Sequence, residues 1–362
     1  MKEQTSLYFS EAGSDKEYHA QIIASGDGYV VNFQYGRRGS ALKPGTKTAA
    51  PLPYEAAKKT YDKLVKEKTS KGYTYDESGA AFQGTENAGN KTDFVPQLLN
   101  SISESEAMRL ISDDEWVAQE KKDGERRAVH ADAVQVIGIN RKGLSVPLPQ
   151  AIADEMLVIS KRTGVIRMDG EIIGDILYVF DLHIVMGNSI YLSKGWYDRM
   201  LQAEAALIGF KNVQALNFAE TTEEKRALWN KVKAAHGEGI VFKRRDCLAK
   251  EGRPNSGGDW LKFKFTESAS CLVSAVHPTK RSVAIDLFDG GHLVDVGNVT
   301  IPSNHDIPAA GDVVEVEYLY AYKGGSLCQP VYHGKRMDIG HNACVLSQLK
   351  YKPDGAGSEE AE

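Results

Sequence analysis

Hydrophobic and polar positions change their period three times along this chain. Near the start, Leu7-Tyr8-Phe9 and the run from Tyr29 to Tyr35 cluster or alternate as strands, and Gly26, Gly28, Gly36, Gly39 and Gly45 punctuate turns. From 53 to 71 the spacing becomes helical: Tyr54, Ala57, Tyr61, Leu64 and Val65 recur on one face, and Gly72 follows as a stop. Residues 76–93 carry Gly79, Gly84 and Gly89 among small and polar residues and read as a linker. From Phe94 to about Thr266 strands alternate with helices predicted at 103–112, 148–162, 196–208 and 222–236. Asp198 and Thr222 stand near two of the starts, where acids and hydroxyls cap well. After Ser268 only short strands remain. Val283, Ile285 and Leu287 alternate with Ala284, Asp286 and Phe288, and Val314, Val316 and Tyr318 with Glu315, Glu317 and Leu319. Pro and Gly separate these runs, which is the pattern of a small barrel.

The predicted fold class is α+β and multidomain. It has a small α/β domain over 1–75, a linker over 76–93, and a central domain of antiparallel sheets with helices over 94–266. A β-barrel follows over 267–351, then a disordered acidic tail over 352–362. The length of 362 residues suits two or three domains, and 42% hydrophobic with 26% charged residues is an ordinary globular balance. The most apolar stretch, from Ile172 to Met186, is cut by Asp175, Asp181 and His183, so no membrane span is expected. No apolar core follows a basic start, so no secretory signal is expected. Cys247, Cys271, Cys328 and Cys344 lie far apart without metal-ligand spacing, which predicts free thiols in a reducing cytoplasm.

A net charge of −5 argues against a wholly basic nucleic-acid coat. Yet between Tyr35 and Lys71 ten basic residues face three acidic ones. The lysines of the helix read as a solvated face. Tyr35, Arg37, Arg38, Lys43 and Lys47, ahead of it, are the expected DNA-contacting group.

The chemistry sits in Lys121-Lys122-Asp123-Gly124-Glu125-Arg126, a Lys-x-Asp-Gly-x-Arg pattern at the end of a strand predicted over 116–120. A lysine attacks phosphorus only as a free amine, so neighbouring cations and partial burial are expected around Lys121. Further pieces follow in order. Arg141 stands at a strand end, and Asp169-Gly170-Glu171 follows a strand predicted over 165–168. Phe180-Asp181 ends a strand over 176–180, and Glu238-Gly239 precedes one over 240–243. In Trp260-Leu261-Lys262-Phe263-Lys264 the two lysines share one strand face. Each piece alone reads as a turn, a core residue or a surface strand. Together they supply a nucleophile, cations for a polyphosphate, two carboxylates and an aromatic surface.

This ordered series resembles the covalent nucleotidyltransferase superfamily of ATP-dependent DNA ligases, RNA ligases and capping enzymes, over about residues 94–345. The resemblance implies that Lys121 is adenylylated, that Gln119, Arg126, Arg141 and Phe180 bind ATP, and that Lys262 and Lys264 hold its α-phosphate. It further implies that Glu171 and Glu238 hold Mg²⁺, with Mn²⁺ as a substitute, in an ATP-grasp-like arrangement of sheets. The following barrel resembles the OB-fold of DNA ligases. The first domain resembles a WGR domain through Tyr35-Gly36-Arg37, Gly39 and the helix ending at Lys71-Gly72-Tyr73.

Three positions depart from the pattern. Tyr35 stands for the Trp of WGR, Gln119 for a frequent Glu, and Ile339 for the Lys that closes the OB-fold motif. Arg336 and Asp338 keep that motif's other two residues and read equally well as a surface ion pair. The implied protein is a monomeric ATP-dependent DNA ligase acting on nicked duplex DNA, cytoplasmic and nucleoid-associated, in DNA repair, replication or recombination. Alternatives are an RNA ligase, a GTP-dependent capping-type enzyme, or a non-catalytic binder of DNA breaks.

Overall fold

The computed structural model describes residues 3–278 and 280–352. The acidic tail therefore lies outside the described residues, apart from Lys352. The chain forms two compact units: one spans Gly89–Phe265, and the other draws on the segments before Gly89 and from Thr266 onward. Among the described residues no helix is long and apolar enough to cross a membrane.

The leading segment is an antiparallel meander of Gln4–Glu11, Ser14–Ser25, Gly28–Arg37 and Lys43–Thr46. Every second residue of its long strand, Tyr18, Ala20 and Ile22, is buried, as a period of two demands. They meet Ala57, Tyr61 and Leu64 from the helix Tyr54–Thr69. The segment expected to be a linker begins as packed structure. Phe82 is buried and its N–H donates to the Gly72 carbonyl at 2.9 Å, while the Ser10 N–H donates to the Gly79 carbonyl at 2.6 Å. An apolar side chain of this size outweighs the small-residue signal around it.

The trailing segment is a five-stranded antiparallel sheet. Its spatial order is His292–Thr300, Ser282–Asp289, Glu267–Val276, Val313–Tyr318 and Val331–Arg336. The alternating positions Val283, Ile285, Leu287, Val314, Val316 and Tyr318 are all buried. Among the described residues no ladder joins the two outer strands, so the sheet is open where a closed barrel was expected.

In Gly89–Phe265 two sheets are backed by helices. The first has the order Asn188–Ser189, Ile176–Val185, Ile166–Ile173, Glu125–Ala131, Val136–Asn140 and Ser145–Val146, with Val213–Ala215 pairing Ile176–Val185 in parallel. The helices Gln150–Thr163 and Trp196–Leu207 join its core through Ile152, Met156, Ile159, Met200 and Ala203. The second has the order Phe218–Ala219, Trp116–Lys121, Gly239–Arg244, Trp260–Lys264 and Asn100–Ser101. The helices Glu104–Ile111 and Thr222–Ala234 back it. Thr221 begins the latter with a full capping box, its hydroxyl and Glu224 bonding each other's backbone N–H.

The second core centres on Trp229, whose ring lies 4.8 Å from Phe263 and 4.7 Å from Phe265. Trp229→Ala is expected to destabilise the full chain by about 3–5 kcal/mol, the usual cost of emptying a large aromatic site. Chemical denaturation followed by fluorescence and circular dichroism measures it; a loss below about 1 kcal/mol would mean that this core collapses around the gap.

Candidate active site

Strand register brings the distant pieces together. Gly239 pairs with Lys121 on one side and with Lys264 on the other. The residue before it, Glu238, therefore sits between two lysines. Its Oε2 accepts from Lys121 Nζ at 2.5 Å, and its Oε1 lies 2.8 Å from Lys264 Nζ. Glu238 is 5% exposed, so both charges meet it in a desolvated setting. Gly239 is required for this approach, because a Cβ there would overlap the Phe263 carbonyl oxygen. Gly124 plays the same part at the nucleophile, where a Cβ would overlap the Ile172 oxygen. The surroundings expected for Lys121 were cationic; the nearest partner is an acid.

Across the gap stands the first sheet. Arg126 and Glu171 are cross-strand partners. Arg126 is fixed by a bidentate pair with Asp169, Nε to Oδ1 at 3.2 Å and Nη2 to Oδ2 at 2.6 Å, and by donation to the Gln97 carbonyl at 2.7 Å. Asp169-Gly170-Glu171 lies inside the strand Ile166–Ile173, not after its end as the sequence suggested. Glu171 has no hydrogen bond or ion pair among the described residues. Burial pushes its carboxyl up to about 7, against the pull of Lys121 and Arg126.

Phe180 also lies inside a strand, Ile176–Val185, and it is the extra residue of a bulge. Asp169 pairs Asp181 while Gly170 pairs Val179, so nothing stands opposite Phe180. A bulge of this kind re-aims a side chain. The Phe180 ring has the Arg126 guanidinium 5.4 Å from its centroid and the Trp260 ring edge-on at 6.2 Å. Its carbonyl accepts from Trp196 Nε1 at 3.0 Å and from Lys243 Nζ at 2.7 Å.

Lys243 is a residue the sequence reading missed. It is 1% exposed, donates also to Gln119 Oε1 at 2.8 Å, and has the Trp260 centroid 4.1 Å away. Burial pulls its amine down to about 7. Gln119 is equally buried, with its Nε2 donating to the Leu216 carbonyl at 3.0 Å, so both ends of its amide are used inside the protein. Asp181 was passed over too. It forms a fully buried pair with Arg199, at 2.8 and 2.9 Å, behind the Phe180 strand. The only sequence signals were Lys243 closing Glu-Gly-x-x-x-Lys and an acid following Phe180.

Lys262 and Arg141 complete the cationic side. Burial and the charges of Lys264, Arg253, Lys121 and Arg141 push Lys262 down to about 8. Among the described residues no group of three or more His, Cys, Asp or Glu is placed to hold a metal. The pair Glu171 and Glu238 still suits Mg²⁺, which takes one or two carboxylates beside phosphate oxygens. Glu171, buried without a counter-charge in contact, is the stronger sign of such an ion.

The other predicted residues lie in the second unit. Tyr35, Arg37 and Lys43 are exposed, and Tyr35 pairs Lys43 across the strands. Arg38 is instead drawn inward, to Asp15 at 3.2 Å and the Glu77 carbonyl at 2.6 Å, and Lys47 lies 3.6 Å from Glu67. Arg336 holds Asp338 with two bonds, of 2.8 and 2.7 Å, and meets Glu315 at 3.2 Å. The ion-pair reading of that pair is the one observed.

Residues 3–80 match the model of the WGR domain. No curated protein matches the chain. Several solved ligase structures share its fold at low identity. A structure called Pmar-Lig_PreS3 is 16% identical with a TM-score of 0.55, over 77% of this chain and 72% of its own. A Lig E DNA ligase is 15% identical with a TM-score of 0.50, over 68% of this chain and 100% of its own. The ligase domain of LigD from M. tuberculosis is 18% identical with a TM-score of 0.42, over 70% of this chain and 98% of its own.

The Glu171 carboxyl gives a stability test. It titrates near 4.5 when unfolded and near 7 when folded, so it is neutral in both states at low pH and charged in both at high pH. Its burial therefore costs stability progressively as pH rises from about 4.5 through 7, and costs most above that. Glu171→Gln should raise the melting temperature more at pH 8 than at pH 5. Equal shifts at the two pH values would place Glu171 in a solvated or paired setting.

Proposed function

We propose that this chain is an ATP-dependent DNA ligase that joins a 5′-phosphate to a 3′-hydroxyl at a nick through a lysyl-AMP. The observation that carries the reading is the Lys121–Glu238–Lys264 bridge, facing Arg126 and Glu171 across the gap between two sheets. It places a lysine nucleophile, a carboxylate in hydrogen-bond contact with it and a second lysine on one sheet edge. The DNA-ligase fold and the WGR domain add to that reading.

In this mechanism Lys121 passes a proton to Glu238 Oε2, with which it already shares a hydrogen bond, and attacks the α-phosphorus of ATP. An N–P bond forms and pyrophosphate leaves. Lys262 and Lys264 balance charge on the α-phosphate, and Arg141 takes phosphate or ribose oxygens. Arg126, pre-set by Asp169, offers its remaining N–H groups without further ordering cost. The re-aimed Phe180 ring stacks on adenine, and Gln119 acts from beneath it through Lys243. Mg²⁺ or Mn²⁺, held by Glu171 with Glu238, would supply Lewis-acid neutralisation of the α-phosphate and the leaving group. AMP then moves to the 5′-phosphate, and the 3′-hydroxyl displaces it. We read Thr266 onward as an OB-type fold that, with the WGR domain, grips the duplex through its phosphates.

Incubation with ATP labelled at the α-phosphate, followed by denaturing electrophoresis, is the direct test. The wild-type chain is expected to carry the label and Lys121→Ala to carry none. Label retained in the variant would falsify Lys121 as nucleophile, and label from GTP instead of ATP would turn the reading toward capping.

For the WGR surface, Arg37→Ala combined with Lys43→Ala should weaken binding to nicked duplex at all sequences alike. It should also flatten the logarithmic salt dependence by about 2, roughly one unit for each phosphate no longer neutralised. An unchanged salt slope would remove these two side chains from the interface.

A further inference from the structure

We propose that Arg253 is a phosphate-binding residue of this site, held beside Lys262 by the strand that carries Asn100. The inference rests on the nucleotidyl-transfer reading, because it assigns a further contact to the same phosphates.

Two observations carry it. The first is the build of the loop between Gly239–Arg244 and Trp260–Lys264. That loop is zipped to the segment before Glu104. The Leu98 N–H donates to the Gly252 carbonyl at 2.7 Å, the Gly252 N–H to the Pro96 carbonyl at 3.2 Å, and the Lys250 N–H to Gln97 Oε1 at 2.8 Å. Asn100 then clamps the loop from inside, its Nδ2 donating to the Pro254 carbonyl at 3.0 Å and the Gly257 carbonyl at 2.9 Å. Arg253 Nη1 donates to the Leu99 carbonyl and reaches Asn100 Oδ1 at 3.4 Å. The same segment pairs with the phosphate strand, Asn100 opposite Leu261 and Ser101 opposite Lys262. An exposed, glycine-rich loop thus delivers one arginine to a set place on the sheet edge.

The second observation is the charge balance. Glu238 matches Lys121 and Lys264, and Asp169 matches Arg126. Arg141, Lys262 and Arg253 have no carboxylate within ion-pair distance among the described residues. They are close enough to act on one another: Arg253 lowers both Lys262 and Arg141, after the larger effect of burial on each. Like charges gathered without an acid are an anion site in waiting. The guanidinium spends only Nη1 on its supports, which leaves Nε and Nη2 as a planar fork for phosphate oxygens.

The phosphate can come from two sources, the triphosphate of ATP or the 5′-phosphate end of the nick. Arg253→Ala separates them. One arm measures lysyl-AMP formation against ATP concentration without DNA. The other measures sealing of a nick that already carries 5′-AMP, which bypasses the first step. KM is expected to rise about tenfold in one arm, the worth of one charge-assisted hydrogen bond, with an unchanged melting temperature. A rise confined to the first arm assigns Arg253 to the triphosphate, and one confined to the second assigns it to the nick. Arg253→Lys should recover part of the loss, since it keeps charge and gives up the fork. No change in either arm overturns the proposal, as does a loss that follows a fall in melting temperature and is not eased by lysine.

Calorimetric binding of inorganic pyrophosphate, which needs no turnover, keeps the two readings apart. If the wild-type chain forms no lysyl-AMP yet binds pyrophosphate through Arg253, the transfer reading fails and the anion site stands.

Discussion

The site depends on one carboxylate between two ammonium groups. Glu238 is buried, and a buried carboxylate without partners is costly. Lys121 and Lys264 are its partners, and each would repel the other if Glu238 were absent. All three are held by backbone pairing rather than by side-chain reach, since Gly239 is bonded in register to both lysine-bearing strands. The second sheet, its two helices and the aromatic cluster around Trp229 serve that register.

A second consequence concerns the base side of the pocket. The Phe180 ring is aimed by a bulge and tied through its carbonyl to Trp196 and Lys243. Little entropy is left to lose when a ligand stacks there. The buried Asp181–Arg199 pair next to it contributes order more than net stability, because its desolvation offsets most of its attraction.

Much of this was legible in the sequence. Strand alternation marked Val283, Ile285 and Leu287 as buried, and the four central helices fall within a few residues of their predicted ends. The order of the charged motifs picked out residues that the sheets do bring together. Three kinds of information were not local and so not legible. The bulge that frees Phe180 exists only as a mismatch between two strands. The role of Asp169 is set by Arg126, 43 positions earlier. Lys243 reads as a surface lysine until Trp196, Trp260 and Gln119 close around it. Asp-Gly-Glu and Glu-Gly read as turns because their glycines are common in turns. Here those glycines serve close approach inside or at the start of strands, a need no single segment reveals.

The double pairing of Gly239 also bears on how such a site can change over time. Side chains alternate along a strand, so deleting one residue from any of the three strands would turn a lysine to the opposite face of the sheet. Substitutions can tune the pocket one side chain at a time, but length changes in these strands cannot be absorbed. Insertions and deletions in relatives of this chain should therefore gather in the connections, such as the loop from Lys250 to Asp259, and the distance along the chain between Lys121 and Lys264 is free to drift while their place beside Glu238 is not.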